Sequence, residues 1–204
     1  MCIVLFVSLG GCFLSDSPAI SDATAENVGA RLQYTEYNPY AQPQDERTFI
    51  RFKRWKGKQY RLTLANEVGS QETDAYKGWL IRRFGTRNGE PIFLIQYQEP
   101  NERRRDAPLH GYDATVLIYP VVVTPGGVGI VGAVDCKDKR VKRVARSHGI
   151  KISCTDAGDE PFKFPRIVNK ASEKQIWSFL VELLSRNLFK WEDTHRFSAF
   201  GWQF

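Results

Sequence analysis

The chain has 204 residues, 42% of them apolar, and its 29 Lys and Arg against 23 Asp and Glu give a formal net charge of +6. This composition excludes a disordered chain, which is poor in apolar residues, and suits one folded domain with an extension. Thirteen Phe, eight Tyr and five Trp against a single Met imply a rigid aromatic core and leave little of the adaptable thioether surface of promiscuous binders.

The chain opens MCIVLFVSLGGC and stays uncharged from Met1 to Leu14. That run is shorter than the roughly 20 residues a helix needs to cross the hydrocarbon layer. It suits the apolar part of an export signal, which spans about 7 to 15 residues and closes on small ones. Leu9-Gly10-Gly11-Cys12 resembles the lipobox of bacterial lipoproteins. The resemblance covers the first dozen residues and implies a signal peptide over 1–11, cleavage before Cys12, and acylation of Cys12 with palmitate or similar chains. The membrane partner is then reached through the lipid alone. Phe13 stands where Asp would favour inner-membrane retention in that family, so the outer membrane, on its periplasmic side, is the expected location. No Lys or Arg precedes the run, and the basic start of such a signal is expected upstream of Met1.

If Cys2 leaves with the signal and Cys12 carries lipid, Cys136 and Cys154 remain as an even pair in an oxidising compartment. A disulfide between them is expected, two buried thiols that never meet being the alternative.

Residues 12–46 read as the lipidated Cys and a tether. FLSDSPAISDATAENVGA is small and polar, NPYAQPQDE adds Pro39 and Pro43, and neither a helical nor a strand period persists. The segment holds Asp16, Asp22, Glu26, Glu36, Asp45 and Glu46 against Arg31 alone, which leaves residues 47–204, the expected single domain, at +11.

From Arg47 the apolar period becomes two. FIRFKRW and YRLTLANEV flank Gly57, YKGWLIRRFG and EPIFLIQYQE flank Asn88-Gly89, and DATVLIYPVVVT and VGIVGAVDC flank Pro125-Gly126-Gly127. Each is a hairpin signature. Pro120 cannot donate to a ladder and implies an edge strand or a bulge. Val141, Val144, Ala145 and His148 at i, i+3, i+4, i+7 predict a basic helix over about 138–148, ended by Gly149. Ser172 and Gln175 have capping-box spacing, and Ile176, Phe179, Leu180, Leu183 and Leu184 predict a second helix over 172–189. The expected fold class is α+β, a mainly antiparallel sheet built from hairpins and covered on one side by the two helices. The tail FSAFGWQF looks like the last strand of an outer-membrane barrel, but strands this few and basic do not make the closed apolar set such a barrel needs. A final strand or aromatic plug on the domain is expected instead.

No zinc-binding spacing, nucleophile elbow or phosphate loop is present, and no cofactor or metal is expected. His110, His148 and His195 are the candidates for acid–base work. The basic clusters are more unusual: Arg51, Lys53, Arg54, Lys56, Lys58 and Arg61 with Trp55, Tyr60 and Trp79 nearby, Arg103 to Arg105, and Lys137, Lys139, Arg140, Lys142, Arg143 and Arg146 on one short helix. The last six form the candidate anion-binding site. The sequence therefore leads to a lipid-anchored envelope protein that binds an envelope protein or anionic polymer without catalysis. The alternatives are a lipid-anchored hydrolase with His110 or His195 as general base and, if the chain is not exported, a nucleic-acid-binding protein.

Overall fold

A computed structural model describes residues 13–28, 31–37, 49–65, 73–98, 116–123, 128–157, 160–191 and 196–199. These residues form β1 (Phe13–Ser15), β2 (Arg31–Tyr37), β3 (Phe49–Lys56), β4 (Gln59–Ala65), β5 (Thr73–Arg87), β6 (Glu90–Gln98), β7 (Val116–Val123), β8 (Val128–Val131), α1 (Lys139–Ser147), β9 (Ile152–Ala157), β10 (Glu160–Ile167), α2 (Glu173–Ser185) and β11 (Arg196–Ala199). The fold is α+β, a mainly antiparallel sheet made of hairpins with two helices, as expected.

Turn chemistry places the hairpins. Asn88 and Gly89, with φ of 53° and 83°, supply the left-handed pair that joins β5 to β6. β3 returns as β4 around Gly57, and β7 returns as β8. Gly78, with φ of 95°, is an extra residue in β5, because Tyr60 pairs with Trp79 whereas Arg61 pairs with Lys77. Strict alternation would put Lys77 and Trp79 on one face; the bulge buries Trp79 and leaves Lys77 exposed.

The hairpins close on themselves. The order β6-β5-β4-β3-β2-β11-β8-β7 is completed by a β6–β7 pairing, so eight antiparallel strands form a ring. β11, at the start of the aromatic tail, completes it by pairing with β2 on one side and β8 on the other. The strand count read from the sequence falls short because β2 lies in the expected tether, whereas β11 is a strand at the start of the tail, one of the two roles expected there. Protein covers the outside of this ring over β5–β7, where Leu80, Phe84, Ile92, Leu94, Val116, Ile118 and Val122 share one core with Ile176, Phe179, Leu180 and Leu183 of α2. The alternate residues Trp79, Ile81, Ile95, Tyr97, Leu117, Tyr119 and Val121 are buried on the opposite, enclosed face. There the Trp79 and Tyr97 rings lie 4.9 Å apart.

Pro120 occupies neither an edge nor a bulge. One edge of β7 pairs with β6 along its length; the other pairs with β1 over Val116–Ile118 and with β8 over Val121–Val123. Pro120 sits where the second edge changes partner, and its carbonyl accepts from Gly132 N–H at 2.9 Å. A residue in an antiparallel strand points its N and its carbonyl to the same side, so the missing donor falls in the gap between β1 and β8. Beyond β1 the sheet branches outward, β1 pairing in parallel with β10 and β10 antiparallel with β9.

The expected tether is corrected over residues 13–28. Phe13, Leu14, Ala19 and Ile20 are 0% exposed and Ala25 is 1% exposed. Phe13 packs edge-on to Phe179 and Phe189 at 6.0 and 6.3 Å. The segment is short of a period because it is held by side chains. Gln96, itself fully buried, accepts from Ala19 N–H (2.6 Å) and Ile20 N–H (2.9 Å) and donates to the Ile20 carbonyl (2.8 Å). Glu26 N–H then bonds the Ile81 carbonyl beside β5, and Tyr60 Oη takes Val28 N–H. The acids of this segment bond to the domain: Asp16 pairs with Arg166 at 3.6 Å, Asp22 accepts from the Gln59 amide, and Glu26 accepts from the backbone N–H of Arg83.

Both helices lie within their expected spans. The capping box at Ser172 and Gln175 is present. α2 stops at Ser185, four residues early, because Asn187 takes a left-handed φ of 52° and Leu188 N–H bonds back to the Leu183 carbonyl. Leu188 and Phe189 keep the apolar pattern and reach the core after that turn. Cys136 and Cys154 form the expected disulfide, with Cα atoms 5.5 Å apart, and it staples the approach to α1 onto β9.

Two outcomes follow for stability. Gln96→Ala leaves two N–H groups and a carbonyl buried without partners, and urea unfolding is expected to report a loss on the order of 3 kcal/mol. Replacing Cys136 and Cys154 together by Ser is expected to cost about 3 kcal/mol, and the denatured parent protein should show no thiol titre from either residue.

Candidate anion-binding surface

Asp138 caps α1, its side chain accepting from Arg140 N–H at 2.7 Å. Gly149, with φ of 68°, ends the helix, and Ile150 N–H returns to the Ala145 carbonyl. Between those stops, Val141, Val144 and Ala145 are buried, and Lys139, Arg140, Lys142, Arg143 and Arg146 are exposed, as is Lys137 just before the cap. All six residues of the candidate site thus lie together on the surface.

They are not equivalent. Arg140 grips Asp138 at 2.7 Å, and that bond, then the Arg140 N–H, holds the Asp138 carboxyl below its ordinary range. Lys139, Lys142, Arg143 and Arg146 fall at i, i+3, i+4, i+7, a stripe on the side of the helix opposite its buried residues. None of the four forms an ion pair with a described residue. Neighbours at these spacings repel by about 0.2–0.5 kcal/mol per pair. Lys139 and Arg140 also stand in a first turn that holds no acid, where the helix dipole disfavours cations. The stripe therefore costs the fold stability and attracts anions.

A second row of basic positions crosses the ring in register. Arg31, Lys53, Arg61 and Lys77 are successive register partners over β2, β3, β4 and β5. Lys77 Nζ stands 5.4 Å from the ring centre of Trp55, which is 46% exposed. The sequence grouped the hairpin cations and missed Arg31 and Lys77, since only strand pairing brings them into line. Of the aromatics near them, Tyr60 and Trp79 are buried in the domain and only Trp55 is open to a ligand. Hairpin cations are also engaged internally: among them, Arg54 Nε donates to the Gly57 carbonyl and Lys58 Nζ to the Ala23 carbonyl.

His148 lies between the helices, its Nε2 2.6 Å from Glu182 Oε2, and Gln175 Nε2 donates to the His148 carbonyl at 3.2 Å. These contacts hold α1 against α2. Cys12, Arg103 to Arg105, His110 and His195 lie outside the described residues. Among the described residues no cluster of three or more His, Cys, Asp or Glu is placed to hold a metal, and no helix is long and apolar enough to cross a membrane. No family model, curated protein or solved structure matches the chain.

The His148 hydrogen bond, followed by the Arg186 charge, holds the Glu182 carboxyl below its ordinary range. A carboxyl whose pKa falls on folding stabilises the fold above its unfolded value of about 4.3, and that contribution is lost as pH drops through the folded value. Glu182→Gln is expected to lower Tm at neutral pH, with the gap from the parent protein narrowing as the pH falls below the ordinary carboxylate range in circular-dichroism melts.

Proposed function

We propose that the chain is a lipid-anchored protein of the bacterial cell envelope, placed at the outer membrane on the periplasmic side, that works by binding an anionic partner and not by catalysis. The observation that carries this reading is helix α1, whose unpaired cationic stripe is fixed to β9 by the Cys136–Cys154 disulfide. A disulfide persists in an oxidising compartment such as the periplasm, which is where the lipobox at Leu9-Gly10-Gly11-Cys12 would send the chain. The exposed charge then meets the polyanions of that compartment, which include lipid phosphates and wall polymers.

A second reading rests on the row across β3–β5, where cations and exposed Trp55 make a surface to which a single-stranded nucleic acid could bind by phosphate contact and base stacking. It requires that the chain stay in the cytosol.

Growth with labelled palmitate separates the two. The parent protein is expected to carry label and to sediment with membranes, and Cys12→Ser to lose both. An unlabelled parent protein in the soluble fraction that co-purifies with nucleic acid would establish the second reading.

A further inference from the structure

We infer that the stripe Lys139, Lys142, Arg143 and Arg146 docks on the phosphates of the same bilayer that holds the Cys12 anchor, so that the domain lies against the membrane. The inference deepens the lipid-anchor reading and rests on it for geometry. The stripe's attraction to an anionic lipid surface is independent of the anchor.

The first support is the charge the fold leaves uncompensated. Among the described residues Asp138 is engaged with Arg140, Asp135 with Lys137 N–H at 2.8 Å, and Glu182 on the facing helix with His148 and with Arg186 at 2.7 Å. A plane of phosphates neutralises all four cations at once, which a single small anion cannot do.

The second support is where the chain enters the sheet. In the parallel β1–β10 pair Leu14 is level with Arg166, which places Phe13 level with Pro165, and Pro165 pairs with Cys154. Phe13 and Cys154 are thus two strand spacings apart, about 10 Å. Cys136, disulfide-bonded to Cys154, lies three residues before α1. The start of β1 and the start of the basic helix share one corner of the molecule.

Distance decides what that corner does. A flexible tether of 34 residues would hold the domain at about 30 Å, several Debye lengths from the lipid at physiological salt. Phe13 is instead fixed in the core with 0% exposure, and Cys12 directly precedes it in sequence. With no spacer between anchor and fold, the first turn of α1 is held closer to the surface than such a tether would hold it. Each cation so placed strengthens partition onto anionic lipid by about fivefold.

The test uses the full chain bearing Cys12→Ser, so that lipid cannot mask the stripe, and flotation with vesicles of phosphatidylcholine, alone or mixed with about one-third phosphatidylglycerol. Binding is expected on the mixed vesicles and not on phosphatidylcholine alone, and it should weaken with added salt. Replacing Lys139, Lys142, Arg143 and Arg146 together by Gln is expected to lower that partition on the order of several hundredfold, with Tm unchanged or raised because the repulsion is gone. Replacing Lys53, Arg54, Lys56 and Lys77 by Gln should leave partition within about twofold of the parent protein. Equal binding to both vesicle types, unchanged binding after loss of the stripe, or equal losses in the two quadruple variants would each overturn the docking surface. Palmitate labelling reads the anchor separately, so a missing anchor and a missing docking surface give different results.

Discussion

The structure hangs on the two edges of β7. One edge is used whole by β6, and the other is divided between β1 and β8. A strand has only two rows of backbone donors and acceptors, so three partners require that one row be split, with a residue at the split that needs no donor. Pro120 is that residue. Above it the sheet runs on through β8 and β11 to close the ring, and below it β1 starts the branch that carries β10, β9 and the basic helix. Without this division the same strands would make either a closed ring or an open sheet with helices, not both.

The packing of residues 13–28 is settled by polar groups before apolar ones. Gln96 offers the segment an amide that acts like a strand edge, and once Ala19 and Ile20 are bound to it, Phe13 and Ile20 are carried into the α2 core. A buried amide satisfied on both its atoms fixes position better than a hydrophobic contact, because any slip leaves donors without partners. The same segment covers part of β5 through Glu26 N–H on Ile81 O, where β4 no longer pairs with it. Its acids are held by the rest of the domain, Asp16 by Arg166, Asp22 by the Gln59 amide and Glu26 by a backbone N–H, so the composition contrast that looked like a boundary lies within one fold.

Charge is distributed unevenly because of this. Arg166 and Arg140 find carboxylates, and Arg82 lies 3.8 Å over the ring of Trp177. The stripe on α1 pairs with no carboxylate among the described residues; its like charges repel, and Lys139 stands in a first turn where the helix dipole disfavours a cation. A helix of nine residues has little stability of its own to spare. It persists because both ends are tied, by the disulfide at one and by His148 with Glu182 and Gln175 at the other.

The amino-acid sequence by itself determined what depends on near neighbours. Asn88-Gly89 made one hairpin, Ser172 with Gln175 started α2, and Val141, Val144 and Ala145 marked the buried side of α1 and hence the exposed side of its cations. Each of these signals lies within a few residues, where φ, ψ and helical periodicity act. Only the tertiary structure decided what depends on distant partners. Ring closure by β11, the burial of residues 13–28 by Gln96, the splitting of β7 at Pro120 and the alignment of Arg31 with Lys77 all join residues far apart in the chain. A short polar stretch such as residues 16–28 carries no period of its own, and its place is set by the hydrogen bonds that remote side chains offer. Lys137 and the five cations of α1 were legible as a group; that the start of the helix shares a corner with the start of β1 was not, because parallel pairing of β1 with β10 leaves no mark in local sequence.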